Sequence, residues 1–269
     1  MGNTRKTVAI VALALVFAVP AVAEEITGRQ VMEKLDKFNR ASDEIVKGTM
    51  EVVPANKLLR TLRKITSYMK ANMENDDDRT VIRFVAPEKY YGVGLLTVEH
   101  GSSDDQWLHL PELRKTKRLA GASKADRFVG SDLSNYDMRT EDLANHEYKL
   151  LGEEEVNGRS CYKVGSKPTN AETEESSGYT RRTLFVDKEW WVPHKILFND
   201  RSGKPLKVMI CKEYEKISGL WRSHHVHVKN VQEGSYTTVL YKRDRKINEG
   251  IADKTFSQNE LKKPPQIGD

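Results

Sequence analysis

Three sets of side chains in this sequence could do chemistry. They are the imidazoles of His224-His225-x-His227, the thiols of Cys161 and Cys211, and the carboxylates of Glu153-Glu154-Glu155. On an extended strand, side chains return to the same face every second residue, so His225 and His227 form a bidentate pair for a metal ion. A protein metal site needs a third or fourth ligand. None stands at ligand spacing, and an exposed polar strand face accounts for the histidines. Two cysteines are too few for a disulfide scaffold or a cysteine zinc cluster. The glutamates lead into Asn157-Gly158, a hairpin signal, and read as a solvated face. With 39 acidic residues in the chain, neighbouring carboxylates arise by chance and do not argue for glycoside hydrolysis. The sequence has no Gly-x-Ser-x-Gly, His-Glu-x-x-His or phosphate-loop pattern. These residues argue against an enzyme and call for no metal or cofactor. A hydrolase with an unrecognised site has no motif behind it.

The first residues bear on the compartment. Arg5 and Lys6 form a positive start, Val8 to Val19 is an apolar run, and Pro20 is followed by Ala21-Val22-Ala23, a small-x-small cleavage pattern. The run is well short of the ~20 residues that span a bilayer. Residues 1–23 are therefore expected to be a cleaved signal peptide and residues 24–269 a released, exported domain. No cysteine follows the cleavage point to take a lipid anchor. The style of the leader points to a Gram-negative periplasm. The 269 residues hold 44 Lys+Arg and 39 Asp+Glu, a formal charge of +5. Losing Arg5 and Lys6 leaves 42 basic residues and +3, too small and mixed an excess to suggest nucleic acid.

The remaining pattern predicts the elements that would position any site. Thr27 to Arg40 reads as one amphipathic helix, capped by Thr27, with Val31, Leu35 and Phe38 on one stripe. After Ser42 the apolar period changes to two. Strands are expected over 45–53, 58–73, 80–86, 93–99, 106–110, 115–119, 147–154, 160–166, 179–186, 191–199, 206–213, 220–231 and 236–244. Short polar links join them, so the fold class is mainly β, an antiparallel meander. Asn75 to Asp78 and Asn170 to Ser177 look like polar loop tips. Leu206, Val208 and Ile210 alternate with Lys207, Met209 and Cys211, giving one drier and one wetter face. One helix and the irregular segment 120–143 cannot cover a dozen strands thickly. A curved sheet with an incompletely filled concave side is the natural place for a ligand. In such a meander Cys161 and Cys211 lie on strands three apart, roughly 14 Å, beyond the ~7 Å Cα reach of a disulfide. Two free, buried thiols are expected.

From Asp105 onward a family pattern emerges. Asp105-Gln106-Trp107-Leu108-His109-Leu110-Pro111 is followed by Arg114, Lys115-x-Lys117-Arg118-Leu119 and Phe128-Val129-Gly130-Ser131-Asp132-Leu133-Ser134-Asn135-Tyr136-Asp137. Pro87, Gly92 and Leu95-Leu96 precede these. Trp191-x-Pro193 and Asp200-Arg201-Ser202-Gly203-Lys204 come after. The ordered set resembles the outer-membrane lipoprotein-sorting protein family, relatives of the periplasmic lipoprotein carrier LolA. His109 stands where the family usually has Tyr, and Tyr136 is displaced by one place.

The resemblance implies an unclosed antiparallel β-barrel with an N-terminal helix and a helical lid, without catalysis. Its concave apolar face would shelter acyl chains of a lipoprotein or lipid, taken from an inner-membrane exporter to an outer-membrane acceptor, with only transient membrane contact. Leu95, Leu96, Trp107, Leu108 and Leu110 are expected along one wall, with Phe128, Val129 and Tyr136 in the lid segment. Arg114, Lys115, Lys117, Arg118 and Asp132 are expected to meet headgroups or a partner. Each has a structural rival: Trp107 as plain core, Gly130-Ser131-Asp132 as a turn or cap, and the basic run as a solvated strand edge. The alternative function is a periplasmic interaction module that partners an inner-membrane lipid exporter without carrying lipid itself.

Overall fold

The computed structural model describes residues 25–72, 77–100, 103–140 and 143–265. The expected signal peptide lies outside them, as do residues 75 and 76 of the loop tip at 75–78. Helix α1 (Gly28–Phe38) begins where the cap was expected. Thr27 Oγ1 accepts the Gln30 N–H at 3.2 Å, and the Gln30 side chain returns to the Thr27 N–H at 2.8 Å. This reciprocal box satisfies two amides that a helix start leaves unpaired. Val31 and Met32 are fully buried, and Leu35 is half-buried beside them. Phe38, expected on the same stripe, is 56% exposed; it meets only the edge of the core at Trp191, 6.5 Å between ring centroids.

All thirteen expected strands form. They are β1 (Asp43–Val53), β2 (Thr61–Lys70), β3 (Arg79–Ala86), β4 (Gly94–His100), β5 (Ser103–Leu110), β6 (Lys115–Leu119), β7 (His146–Val156), β8 (Arg159–Pro168), β9 (Tyr179–Asp187), β10 (Pro193–Asp200), β11 (Pro205–Ile217), β12 (Leu220–Asn230) and β13 (Tyr236–Tyr241). A two-residue β14 (Lys246–Ile247) pairs with β1. Strand β2 starts later than expected, because Pro54 to Arg60 is a loop. The spatial order is β6-β5-β4-β3-β2-β1-β13-β12-β11-β10-β9-β8-β7. Two meanders are thus joined by the pairing of β1 with β13, and among the described residues β6 and β7 are the edge strands. The β6 edge carries Lys115, Lys117 and Arg118; the β7 edge carries Glu147, Glu153, Glu154 and Glu155.

Because consecutive strands β6 and β7 lie at opposite edges, the chain between them must cross the concave side. This strap (120–145) holds three short 3-10 turns, Gly121–Lys124, Phe128–Gly130 and Tyr136–Met138, rather than a lid of α-helix. The region read as a loop tip at 170–177 contains helix α2 (Ala171–Ser177). Asn170 caps it by accepting the Thr173 N–H at 2.8 Å, and Gly178 ends it at φ 77°. The short run hid it, since seven polar and small residues show no apolar stripe.

The C-terminal turn Asp253–Phe256 and helix α3 (Gln258–Leu261) cover the outer face of β1–β5. There Ile251, Phe256 and Leu261 pack on Val81 and Leu96. In this half both sheet faces are therefore apolar, where one dry face was expected.

Candidate ligand-binding site on the concave face

The register fixes which side chains share the concave face. Val164, Leu184, Ile196, Met209, Val228, Thr237 and Val52 are cross-strand neighbours in one row. Cys211, Val226, Val239, Met50 and Arg63 form the next. On the other wing Ile82, Leu95, Leu108 and Lys117 form a separate row, which meets Ser67 of β2. In β11 the interior face is thus Lys207-Met209-Cys211. Leu206, Val208 and Ile210 were expected on the drier face; the interior side carries Lys207, Met209 and Cys211 instead, because Lys207 finds a partner there.

The strap is held to this face mainly by polar groups. Lys207 Nζ lies 2.5 Å from Asp137 Oδ2 and donates to the Asp132 carbonyl at 2.9 Å. The Tyr179 hydroxyl donates to Asp137 Oδ1 at 2.8 Å, and the Ser134 N–H donates to Oδ2 at 2.7 Å. Burial alone would raise the Asp137 pKa, but the Lys207 ammonium and these donors outweigh it and hold the carboxyl below the ordinary aspartate range. The same burial pushes the Tyr179 phenol up to about 12. Asp132 accepts from Ser235 Oγ at 2.5 Å and Thr237 Oγ1 at 2.9 Å. Gln106 donates to the Asn135 carbonyl at 2.9 Å, and Arg63 to the Val129 carbonyl at 2.7 Å. Phe128, fully buried, sits 5.5 Å from Phe84. Val129 has φ 49° and Gly130 φ 75°, the left-handed backbone that turns the strap at this point.

Between the strap and α1 lies a diagonal band of half-buried apolar residues. Ile196, Met209, Val226 and Tyr241 run across β10 to β13, with Leu35 of α1 on one flank and Met138 of the strap on the other. Tyr241 is half-buried, and desolvation raises its phenol above the usual range. Gly48 lies beside Tyr241, and an added Cβ there would stand 3.1 Å from the Tyr241 ring.

Two cavities lie away from this band, toward the β3–β6 wing. One of about 520 Å³ is polar and lies at the β6 edge among Asp104, Lys124, Arg139, Asn145, Asn170 and Thr173. The other, about 620 Å³, lies among Tyr91, Val93, Leu110, Pro111 and Leu113. Near the first, Glu99 is buried and accepts the Thr140 N–H at 2.8 Å. Desolvation pushes its pKa up to about 7, with Asp78 adding to the rise and the Thr140 N–H and Arg139 opposing it.

The expected site residues separate accordingly. Leu95, Leu108 and Leu110 face the concave core, Phe128 and Val129 pack into it from the strap, and Lys117 sits on the same side at the edge. Leu96 and Trp107 do not join them. Successive residues of a strand point to opposite faces, and these two pack on the outer face under the C-terminal segment. Tyr136 is buried with Tyr179 and Phe198 and is a strap anchor. Asp132, expected at a headgroup or partner, is buried and accepts from Ser235 and Thr237 within the fold. Arg114 is exposed after the Pro111–Leu113 turn, and Arg118 pairs with Asp105 on the outer side. His225 and His227 pair with Glu213 and Thr238 respectively, and His224 turns inward, 3.5 Å from Glu215. Among the described residues no group of three or more His, Cys, Asp or Glu is placed to hold a metal. Lys207, Arg63 and Glu99 were not singled out from the sequence. A lysine inside an apolar strand segment was the available signal for the first.

A family model described as "Uncharacterized protein" matches residues 76–263. Among curated proteins nothing matches the sequence. A domain from Vibrio parahaemolyticus named for outer membrane lipoprotein sorting is 26% identical, with TM-score 0.81 over 88% of this chain and 98% of its own. A DUF1329 family protein from Desulfovibrio piger is 25% identical, TM-score 0.81, over 87% and 97%. A LolA superfamily protein from Nitrosomonas europaea shares the fold at 18% identity, TM-score 0.68, over 88% and 100%. The chain therefore belongs to the family whose model matches residues 76–263, and with the motif run from Asp105 to Asp137 on strands β5 and β6 and on the strap it is similar in fold to the lipoprotein-sorting domain, the DUF1329 protein and the LolA superfamily protein.

Proposed function

We propose that this protein is a non-enzymatic periplasmic carrier that shelters the acyl chains of a lipoprotein or lipid between an inner-membrane exporter and an outer-membrane acceptor. The observation that carries the reading is the band Ile196-Met209-Val226-Tyr241, apolar and half-covered on the concave side of an unclosed sheet. Each buried methylene contributes ~0.8 kcal/mol, so a sixteen-carbon chain prefers such a site over water by roughly 13 kcal/mol. Unassisted passage through an aqueous compartment is then negligible. Release still has to occur, and a recess with one side open permits it.

The test is binding of a fluorescent fatty acid to the full chain and to Val226→Lys. A folded variant should bind at least about tenfold more weakly, because a buried ammonium without a partner is expelled from an apolar site. Equal binding by a folded Val226→Lys removes the band from the site. The second reading is an interaction module for an inner-membrane lipid exporter, and it draws on the strap: Phe128 and Leu133 already fill part of the concavity. Native mass spectrometry after gentle purification separates the two. Co-purifying acyl-chain masses favour the carrier; a clean apo mass with tight partner binding favours the module.

A further inference from the structure

Among the described residues, nothing covers the leucines at the tip of the first hairpin. Residues 54–60 join β1 to β2, and Leu58 and Leu59 are 81% and 74% exposed there, with Leu62 also exposed at the start of β2. From Pro54 to Met73 the sequence has Lys57, Arg60, Arg63, Lys64 and Lys70 and no acid. Arg63 turns inward to the strap. Glu51 on β1 pairs with Arg60 at 2.5 Å. Two leucines thus project between basic residues.

Topology gathers more of the same at this end. In the antiparallel sheet, the turns after β1, β3, β5 and β12 all lie on one side. The turn after β5 adds exposed Leu113 beside Arg114 and Lys115, and the turn after β12 adds exposed Val231. Five of the eight large apolar side chains exposed among the described residues (Leu58, Leu59, Leu62, Leu113 and Val231) sit at this end. The cavity among Tyr91, Leu110 and Leu113 lies there too. Acids are present at this end as Glu88, Glu112, Asp200 and Glu233 and, on the helix that follows β8, as Glu172, Glu174 and Glu175, with Glu233 paired to Arg127. None lies on the projecting tip.

Exposed apolar groups rimmed by charge mark interaction surfaces. A projecting tip needs a partner that yields to it, and a bilayer interface does so without a matching pocket. The lysines and arginines select anionic headgroups. We propose that the β1–β2 tip docks this protein on a bilayer containing anionic lipid, with Leu58 and Leu59 entering the interface and Lys57, Arg60 and Lys64 facing phosphates. The proposal goes beyond the carrier reading and does not depend on it. Docking in this pose would set the strap at Val129-Gly130 close to the membrane, because Arg63 ties that turn to the base of the same hairpin.

The full chain is tested by co-sedimentation with vesicles of phosphatidylcholine alone or mixed with phosphatidylglycerol. The wild type should sediment with the mixed vesicles and less with phosphatidylcholine. Leu58→Asp with Leu59→Asp should weaken partitioning about tenfold or more. Lys57→Glu with Arg60→Glu should abolish the preference for the anionic mixture. Leu240→Asp, at an exposed leucine near the C-terminal end of β13, should change nothing. Both leucines are so exposed that the fold does not need them. Fluorescent fatty acid binding by the leucine variant should stay at the wild-type level. Sedimentation without fatty acid binding in the wild type would sink the carrier and leave docking standing. Wild type that stays in solution with both vesicles, leaving the tip to a protein partner, or a leucine variant that sediments like wild type, overturns docking.

Discussion

Removing the Asp137 carboxylate would leave Lys207 charged in a site where both side chains are almost fully buried. Breaking a buried pair from one side typically costs ~3–5 kcal/mol, whereas replacing both partners by apolar groups is often nearly neutral. Asp137→Ala should therefore lower the midpoint of chemical denaturation strongly, and the further change Lys207→Met should recover much of the loss. Acid acts through the same carboxylate. Its folded pKa is depressed, so its contribution is present above the ordinary aspartate pKa and is lost as pH falls through the folded value.

Glu99 has the opposite sign. Its folded pKa is about 7, so its contribution is complete below the ordinary glutamate pKa and disappears as pH rises through 7. The linked loss is about 3 kcal/mol by the proton-linkage relation. Glu99→Gln, which can still accept the Thr140 N–H, should flatten the decline of Tm between pH 5 and 8. Burial also pushes Cys161 to about 11 and Cys211 to about 12. Both thiols are free and buried, as expected, and the native protein at pH 8 should resist a thiol reagent until denaturant is added.

Among the elements, strap and helix are fastened differently. The strap has a buried ion pair, several hydrogen bonds to the sheet and the Phe128 plug. Helix α1 lies on β7, β8 and β9 mainly through Val31, Met32 and Leu35. If either moves to admit cargo, the helix is the cheaper one to shift. Its close approach depends on Gly28, where an added Cβ would stand 2.6 Å from the backbone of Lys149 and Leu150. Overpacking of this kind costs ~1–3 kcal/mol. Gly28→Ala should lower Tm by several degrees and speed hydrogen exchange in α1 and β7 before the rest of the sheet.

Elements of this kind were readable where one period ran long enough. The Thr27 cap, the thirteen strands and the Asn157-Gly158 turn all follow from local chemistry. The faces were harder, because β11 buries the side carrying a lysine, and only a contact 70 residues away in sequence neutralises it. Leu96 and Trp107 were misplaced for a related reason. The C-terminal segment that covers them is distant in sequence and weakly patterned.

At the scale of the molecule, the sheet keeps two ends unpaired, and its sequence guards them with charge. Strand β6 is basic and β7 is acidic. Two copies meeting basic edge to basic edge, or acidic to acidic, repel each other, so a two-fold dimer through either edge is opposed. Only unlike edges attract. That arrangement is head-to-tail and has no built-in closure, so it grows into strings rather than stopping at a pair. Any self-association at low ionic strength should therefore climb continuously with concentration in sedimentation velocity and dissolve when salt is added. A salt-indifferent dimer of fixed size would mean that the copies join through some other surface.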